Sequence, residues 1–204
     1  MASTAPAADS SALAATRFAV VDVETSGLRP RRHRVLQVAV VTADAHGNVV
    51  SEWSTYVRPR WWRFARLGPR DVHGITRAML RNAPRESEVM AEMAARLHGS
   101  VLTAHNAGFD IAFLRRAARR SGVAWPGAQP LCTLRMSRAL DPDRQQSHRL
   151  ADLCERYGVH AGRAHDALAD AEATAAVLPH LLDALHVESL ADLTAYAPWG
   201  SAQR

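Results

Sequence analysis

Lysine is absent from this chain of 204 residues, so all 25 of its Lys+Arg positions are arginine. An arginine fork grips phosphate in bidentate fashion, which a lysine ammonium cannot do. With a net charge of +5 and a sequence pI of about 10.2, the chain suits a polyanionic partner. Codon bias yields the same arginine-for-lysine pattern in an alanine-rich chain, so composition alone leaves nucleic acid only modestly favoured. Cysteine is also scarce. Cys132 and Cys154 stand far apart, as reduced buried thiols do in an intracellular protein, and no disulfide framework is expected. No apolar run approaches the ~20 residues that span a bilayer, which removes the membrane as a partner. Residues 1–15 have neither a basic start nor an apolar stretch. They read as a disordered lead-in, not an export signal, and a cytoplasmic location is expected.

What remains is globular: 48% hydrophobic and 22% charged, enough for one domain with a full core. That domain is expected over residues 16–187, with a C-terminal helix or tail over 188–204. The stretch Phe18-Ala-Val-Val-Asp22-Val-Glu24-Thr25-Ser26-Gly27-Leu28 organises the rest. Its β-branched run predicts a buried strand that breaks at Ser26-Gly27. Side chains two apart on a strand share a face, so Asp22 and Glu24 sit side by side. Two such anions repel each other and resist desolvation. A divalent cation with oxygen ligands compensates them, unless the face is simply solvated.

Two further strands are predicted over 35–41 and 49–57, joined through the turn residues Asp44-Ala-His-Gly-Asn48. Residues 58–69 form a loop rich in arginine and aromatics, including Trp61 and Trp62. Such a loop can stack bases and hold phosphates, or fold over the core as a lid of tryptophan. A helix is expected over 87–98, a buried strand over 101–106, and a helix from 109 with Asp110 in its first turn. A last strand over 130–134 and helices over 147–158 and 165–186 complete the order. Pro179 implies a kink or break in the final one. The result is a single mixed α/β sheet with helices on its faces.

Three acidic positions then coincide: Asp22 with Glu24 at one strand end, Asp110 opening a helix, and His165-Asp166-Ala-Leu-Ala-Asp170 opening another. Strand ends and the helix starts that follow them converge at one sheet edge, where ligands bind. Four carboxylates and a histidine there match two-metal phosphodiester hydrolysis. The carboxylates suit magnesium or manganese, and a neutral histidine can take a proton from water. Asp166 and Asp170 share a helix face, so spacing leaves either as the fourth ligand.

The three segments Asp22-Val-Glu24-Thr-Ser-Gly-Leu, His105-Asn-Ala-Gly-Phe-Asp110 and His165-Asp-Ala-Leu-Ala-Asp170 resemble, in order and spacing, the motifs of the DEDDh 3′–5′ exonuclease superfamily. DnaQ-like proofreading subunits of bacterial DNA polymerase III, ribonuclease T and oligoribonuclease belong to it. The resemblance implies a ribonuclease H-like fold with a five-stranded mixed sheet, antiparallel meander plus parallel strands. It implies a DNA or RNA 3′ end as substrate, two divalent ions (Mg2+ or Mn2+) as cofactors, and 5′-nucleoside monophosphates as products. A polymerase is a further implied partner. Asp22, Glu24, Asp110 and Asp170 take the metal-ligand positions and His165 that of the general base. Thr25, Ser26, Gly27, Leu28, His105, Asn106 and Phe109 fall beside the terminal nucleotide. The segment Val72-His73-Gly-Ile-Thr76 resembles one found in the proofreading branch, adding His73 to the substrate-binding set and tilting the reading toward DNA. An RNA-trimming enzyme and a non-hydrolytic nucleic-acid-binding or polymerase-tethering module are the alternatives.

Overall fold

The computed structural model describes residues 10–60, 64, 66–125 and 129–198. Its centre is β1 (Arg17–Thr25), which pairs antiparallel with β2 (Val35–Asp44); β2 in turn pairs antiparallel with β3 (Val49–Tyr56). After α2 (Arg70–His73), α3 (Arg77–Arg81) and α4 (Glu86–Leu97), the chain adds β4 (Val101–Ala104), parallel to β1. Helix α5 (Ala107–Ser121) leads to β5 (Leu131–Cys132), parallel to β4. Helices α6 (Thr133–Ala139), α7 (Leu150–Tyr157) and α8 (Ala167–Ala184) follow. The sheet order is β3-β2-β1-β4-β5, the mixed five-stranded sheet expected from the motifs.

Strand alternation divides β1 between two cores. Ala19, Val21 and Val23 pack with Val89, Met93, Ile111 and Leu114 of α4 and α5. Phe18 and Val20 face the other way, onto α7 and α8. Asp22 and Glu24 continue that second row, so the same alternation that buries Phe18 and Val20 aims both carboxylates toward α8. Helix α8 lies close to the sheet because its contact row is Ala167, Ala171 and Ala175, with nothing beyond Cβ. Asp170 rides on the first turn of that helix.

Three expectations are corrected. Residues 10–15 of the supposed lead-in form α1 (Ser10–Ala15), and Leu13 packs against the cluster around Phe18; residues 1–9 lie outside the described residues. Helix α8 continues through Pro179 without a break. That proline abuts the β2–β3 turn, where a Cβ on Gly47 (φ 84°) would stand 2.9 Å from its Cγ. The last strand is two residues long, and α6 begins at Thr133, one residue after it. Past residue 187, a 3-10 helix over Asp192–Tyr196 buries Leu193 in the same core. Trp61 and Trp62 lie outside the described residues.

Candidate active site

β1 outruns its neighbour. Its pairing with β4 ends at Val20, yet the strand continues to Thr25. The missing length of β4 leaves a cleft of about 380 Å³ at the sheet edge, bordered by the starts of α5 and α8. Asp22, Glu24, Asp110, His165 and Asp170 all line it. Asp110 is 3% exposed, and its carboxylate accepts a hydrogen bond from the Val23 backbone N–H, clamping α5 to β1.

Each helix that delivers a carboxylate is preceded by a non-glycine residue with left-handed backbone: Asn106 (φ 58°) before α5 and His165 (φ 62°) before α8. Asn and His tolerate this region better than most residues, and such conformations gather at functional sites. Asp166 is occupied. Its Oδ1 accepts from the N–H groups of Leu168 (3.0 Å) and Ala169 (3.4 Å), capping α8. Asp170, unlike Asp166, lines the cleft, and its Oδ2 accepts from the His165 N–H at 3.2 Å. Ligand atoms of Glu24, His165 and Asp170 all lie within 4.8 Å of one another.

Electrostatics identify what the cleft could hold. Burial, then the charges of Asp110, Asp170, Glu24 and Asp166, raise the Asp22 pKa well above the carboxylate range. Glu24 is pushed up to about 7, chiefly by burial and then by Asp170 and Asp166. Asp110 is pushed up to about 8 by burial, against the pull of its backbone hydrogen bonds. Burial also raises Asp170. Four crowded carboxyls that resist ionisation, all hard oxygen donors, fit divalent cations of the magnesium or manganese type.

The remaining expected site residues divide into two groups. Thr25, Gly27, Leu28, Asn106 and Phe109 border the cleft. Leu28 is 80% exposed at its mouth, and Phe109 stacks obliquely on Phe113 with centroids 5.0 Å apart. Ser26 does not border it. Its hydroxyl accepts from the Arg34 N–H at 2.9 Å and its own N–H donates to the Arg34 carbonyl, closing the turn. The lip is fixed by glycine: a Cβ on Gly27 would meet the His33 ring at 2.7 Å, and one on Gly68 the Ser26 carbonyl at 2.6 Å.

His73 and His105 face the cleft with ring surface only. His73 Nδ1 accepts from the Ile75 N–H (3.0 Å), so Nε2 donates to the Leu67 carbonyl (2.9 Å). His105 Nε2 donates to the His148 carbonyl (3.1 Å), leaving Nδ1 to accept from the Thr133 hydroxyl (3.0 Å). His148, absent from the sequence-based set, bonds Ser137 Oγ through Nδ1 (2.8 Å) and lies 3.2 Å from Asp141 through Nε2. Asp141 accepts from the N–H groups of Gln145 and Gln146. No short motif marks this network; its members are ordinary residue types joined only in the fold.

The exonuclease family RNase_T matches residues 19–178. A Mycobacterium tuberculosis protein, named as a candidate bifunctional exonuclease/endonuclease, is 39% identical over 202 residues, or 94% of this chain and 31% of that protein. The Bacillus subtilis 3′-5′ exonuclease DinG is 29% identical over 170 residues, 83% of this chain and 18% of DinG. This chain thus spans a third or less of those relatives. The Escherichia coli exonuclease I structure in complex with a dT13 oligonucleotide shares the fold, with a TM-score of 0.71 at 23% identity over 82% of this chain and 41% of that one. Family match, motif order and shared sheet agree, and the chain belongs to the RNase_T exonuclease family, within the DEDDh superfamily that its three motifs resemble.

Proposed function

We propose that this protein is a metal-dependent 3′–5′ exonuclease that releases 5′-nucleoside monophosphates from single-stranded or frayed DNA ends. The convergence of four carboxyls and His165 in one cleft carries the reading. Asp22, Glu24, Asp110 and Asp170 would hold two divalent ions, which supply charge stabilisation for the attacking and leaving oxygens of an in-line displacement. His165 stands exposed at the cleft, where its ring can take a proton from the attacking water. Its backbone N–H, tied to Asp170, fixes where the ring starts. Leu28 and Phe109 offer apolar surface to the terminal base, and the rigid Thr25–Gly27 turn offers backbone to its sugar and phosphate. A 3′ polarity is supported by the likeness to DinG, a 3′-5′ exonuclease, and a single-stranded substrate by the oligonucleotide bound to exonuclease I.

The test uses 5′-labelled single-stranded, 3′-overhang and 3′-recessed DNA with a matched single-stranded RNA, each with magnesium, manganese or chelator. A metal-dependent ladder shortening from the 3′ end, faster on DNA, is expected. A faster ladder on RNA reassigns the substrate. Intact strands that shift on a native gel in every lane sink hydrolysis and leave a binding module.

A further inference from the structure

Leu28 borders two cavities at once. It lines the carboxylate cleft on one side, and on the other a cavity of about 560 Å³ with Arg29, Arg31, Arg32 and Arg116. Arg116 in turn lines a third cavity, of about 470 Å³, with Arg115, Arg119 and Gln129. The three lie side by side, adjoining first at Leu28 and then at Arg116. No acidic residue among those described lines either arginine cavity.

Such an arrangement opposes folding unless something neutralises it. The crowding reaches Arg34, whose pKa is lowered by burial and then by the charges of Arg120 and Arg116. Two arginines outside these cavities are paired with acids. Arg120 places its fork on Glu86 at 2.9 and 2.7 Å, and Arg96 meets Glu92 at 2.8 Å. Arg116 differs: its Nε is buried and has no hydrogen-bond partner among the described residues. A buried donor left open beside two cavities is a place where an acceptor from outside would be stabilised. On α5, Arg115 and Arg119 are four residues apart and Arg116 and Arg119 three apart. Their side chains therefore succeed one another along one helix face, with Cβ atoms about 5–6 Å apart.

We propose that these two cavities form a phosphate track that holds the single strand on the 5′ side of its terminal nucleotide. The enzyme then prefers a polynucleotide several residues long over a dinucleotide. The direction of the track rests on the exonuclease reading above; its affinity for a polyanionic strand does not. Continuity with the cleft favours a nucleic-acid strand over an acidic peptide, because only the strand has an end to place among the carboxylates. Phosphate contacts position a strand without reading its bases, so the track works on any sequence.

The test compares the full chain with Arg31→Ala/Arg32→Ala and with Arg119→Ala, all three positions being exposed. Binding of a labelled 20-nucleotide single strand is measured in chelator across a salt series. Each variant is expected to weaken binding by ~10-fold and to lower the slope of log affinity against log salt by ~0.7 per arginine removed. With magnesium, the loss of hydrolysis grows with strand length and is small on a dinucleotide, which ends at the cleft. Circular dichroism confirms that each variant is folded. Unchanged 20-mer affinity and salt slope overturn the track, as does an equal loss on the dinucleotide. Stronger competition by poly-glutamate than by unlabelled strand assigns the surface to an acidic protein partner and also overturns it. If the parent chain hydrolyses nothing, the exonuclease reading fails, while the binding arm still decides the track.

Discussion

Two polar regions flank the end of β4, and they are built on opposite plans. In the network around His105, every ring nitrogen of that histidine has a protein partner, Thr133 on one side and the His148 carbonyl on the other. Asp141 there takes two backbone N–H groups and sits against His148. Its pKa is lowered by those backbone bonds, so the charge is welcome. In the cleft, Asp22, Glu24, Asp110 and Asp170 crowd together and every one is raised, burial first. One buried nitrogen in the His105 network, His148 Nε2, makes no hydrogen bond but lies 3.2 Å from Asp141, so that network balances its charges within the fold; a crowd of a single sign is a request for a ligand.

The contrast breaks hardest at Asp110. Asp110→Asn should lower metal-dependent hydrolysis by on the order of 10⁴-fold, as loss of one member of a catalytic unit does. The same change removes a buried repulsion, so the metal-free variant should melt higher than the parent in calorimetry. A variant that melts lower without metal would mean that the cleft acids are structural. Next comes His165→Ala. Hydrolysis should slow by ~10²–10⁴-fold, the scale of general-base catalysis, with strand binding in chelator unchanged. Wild-type turnover in that variant removes His165 from the mechanism.

On the satisfied side the expected loss is of another kind. His148→Ala removes the partner of Ser137 Oγ inside a buried cluster. It should cost about 1–3 kcal/mol of stability, the usual penalty for orphaning a buried polar group. Metal dependence should be retained, read as an unchanged magnesium midpoint in the hydrolysis assay. A shifted midpoint would join the two regions into one site.

The same contrast explains what could be read before any coordinates. The carboxylates were legible because strand alternation and helix position are short-range facts: Asp22 and Glu24 are two apart, and Asp110 and Asp170 open helices. The mixed character of the sheet was legible from three successive strands on short links followed by alternating helix and strand. The bonding of Ser26 and His73 was not legible, because a motif gives the neighbourhood of a residue but not its hydrogen-bond partner. Arg34 claims the Ser26 hydroxyl from eight residues away, and Leu67 and Ile75 claim both nitrogens of His73. The choice between Asp166 and Asp170 needed the same information, since capping is a contact and not a spacing. α1 was hidden because it contributes little more than one anchoring side chain, Leu13, to a core assembled from distant segments.

The smallest expected effect separates the two regions by sign. His105 is pushed down to about 4, by burial first, and the Asp141 pKa is lowered as well. A lowered pKa means that the unfolded chain binds more protons, so these groups destabilise the fold as pH falls, His105 between about 6.5 and 4 and Asp141 below about 4. Glu24 and Asp110 are raised, to about 7 and about 8. For them the folded state binds more protons, and stability is lost as pH rises toward and through those values. Between pH 6.5 and 8.5 the unfolded chain has only the last half of the His105 proton to lose, and the cleft acids dominate. The metal-free protein should therefore melt a few degrees lower at pH 8.5 than at pH 6.5. Millimolar magnesium should flatten that slope, because a cation on the carboxylates replaces the protons they would otherwise keep. Asp110→Asn should flatten it in part without any metal. A metal-free melting temperature that rises across this window would show that the carboxyls are stabilised by contacts within the fold, and the two regions would then follow one plan after all.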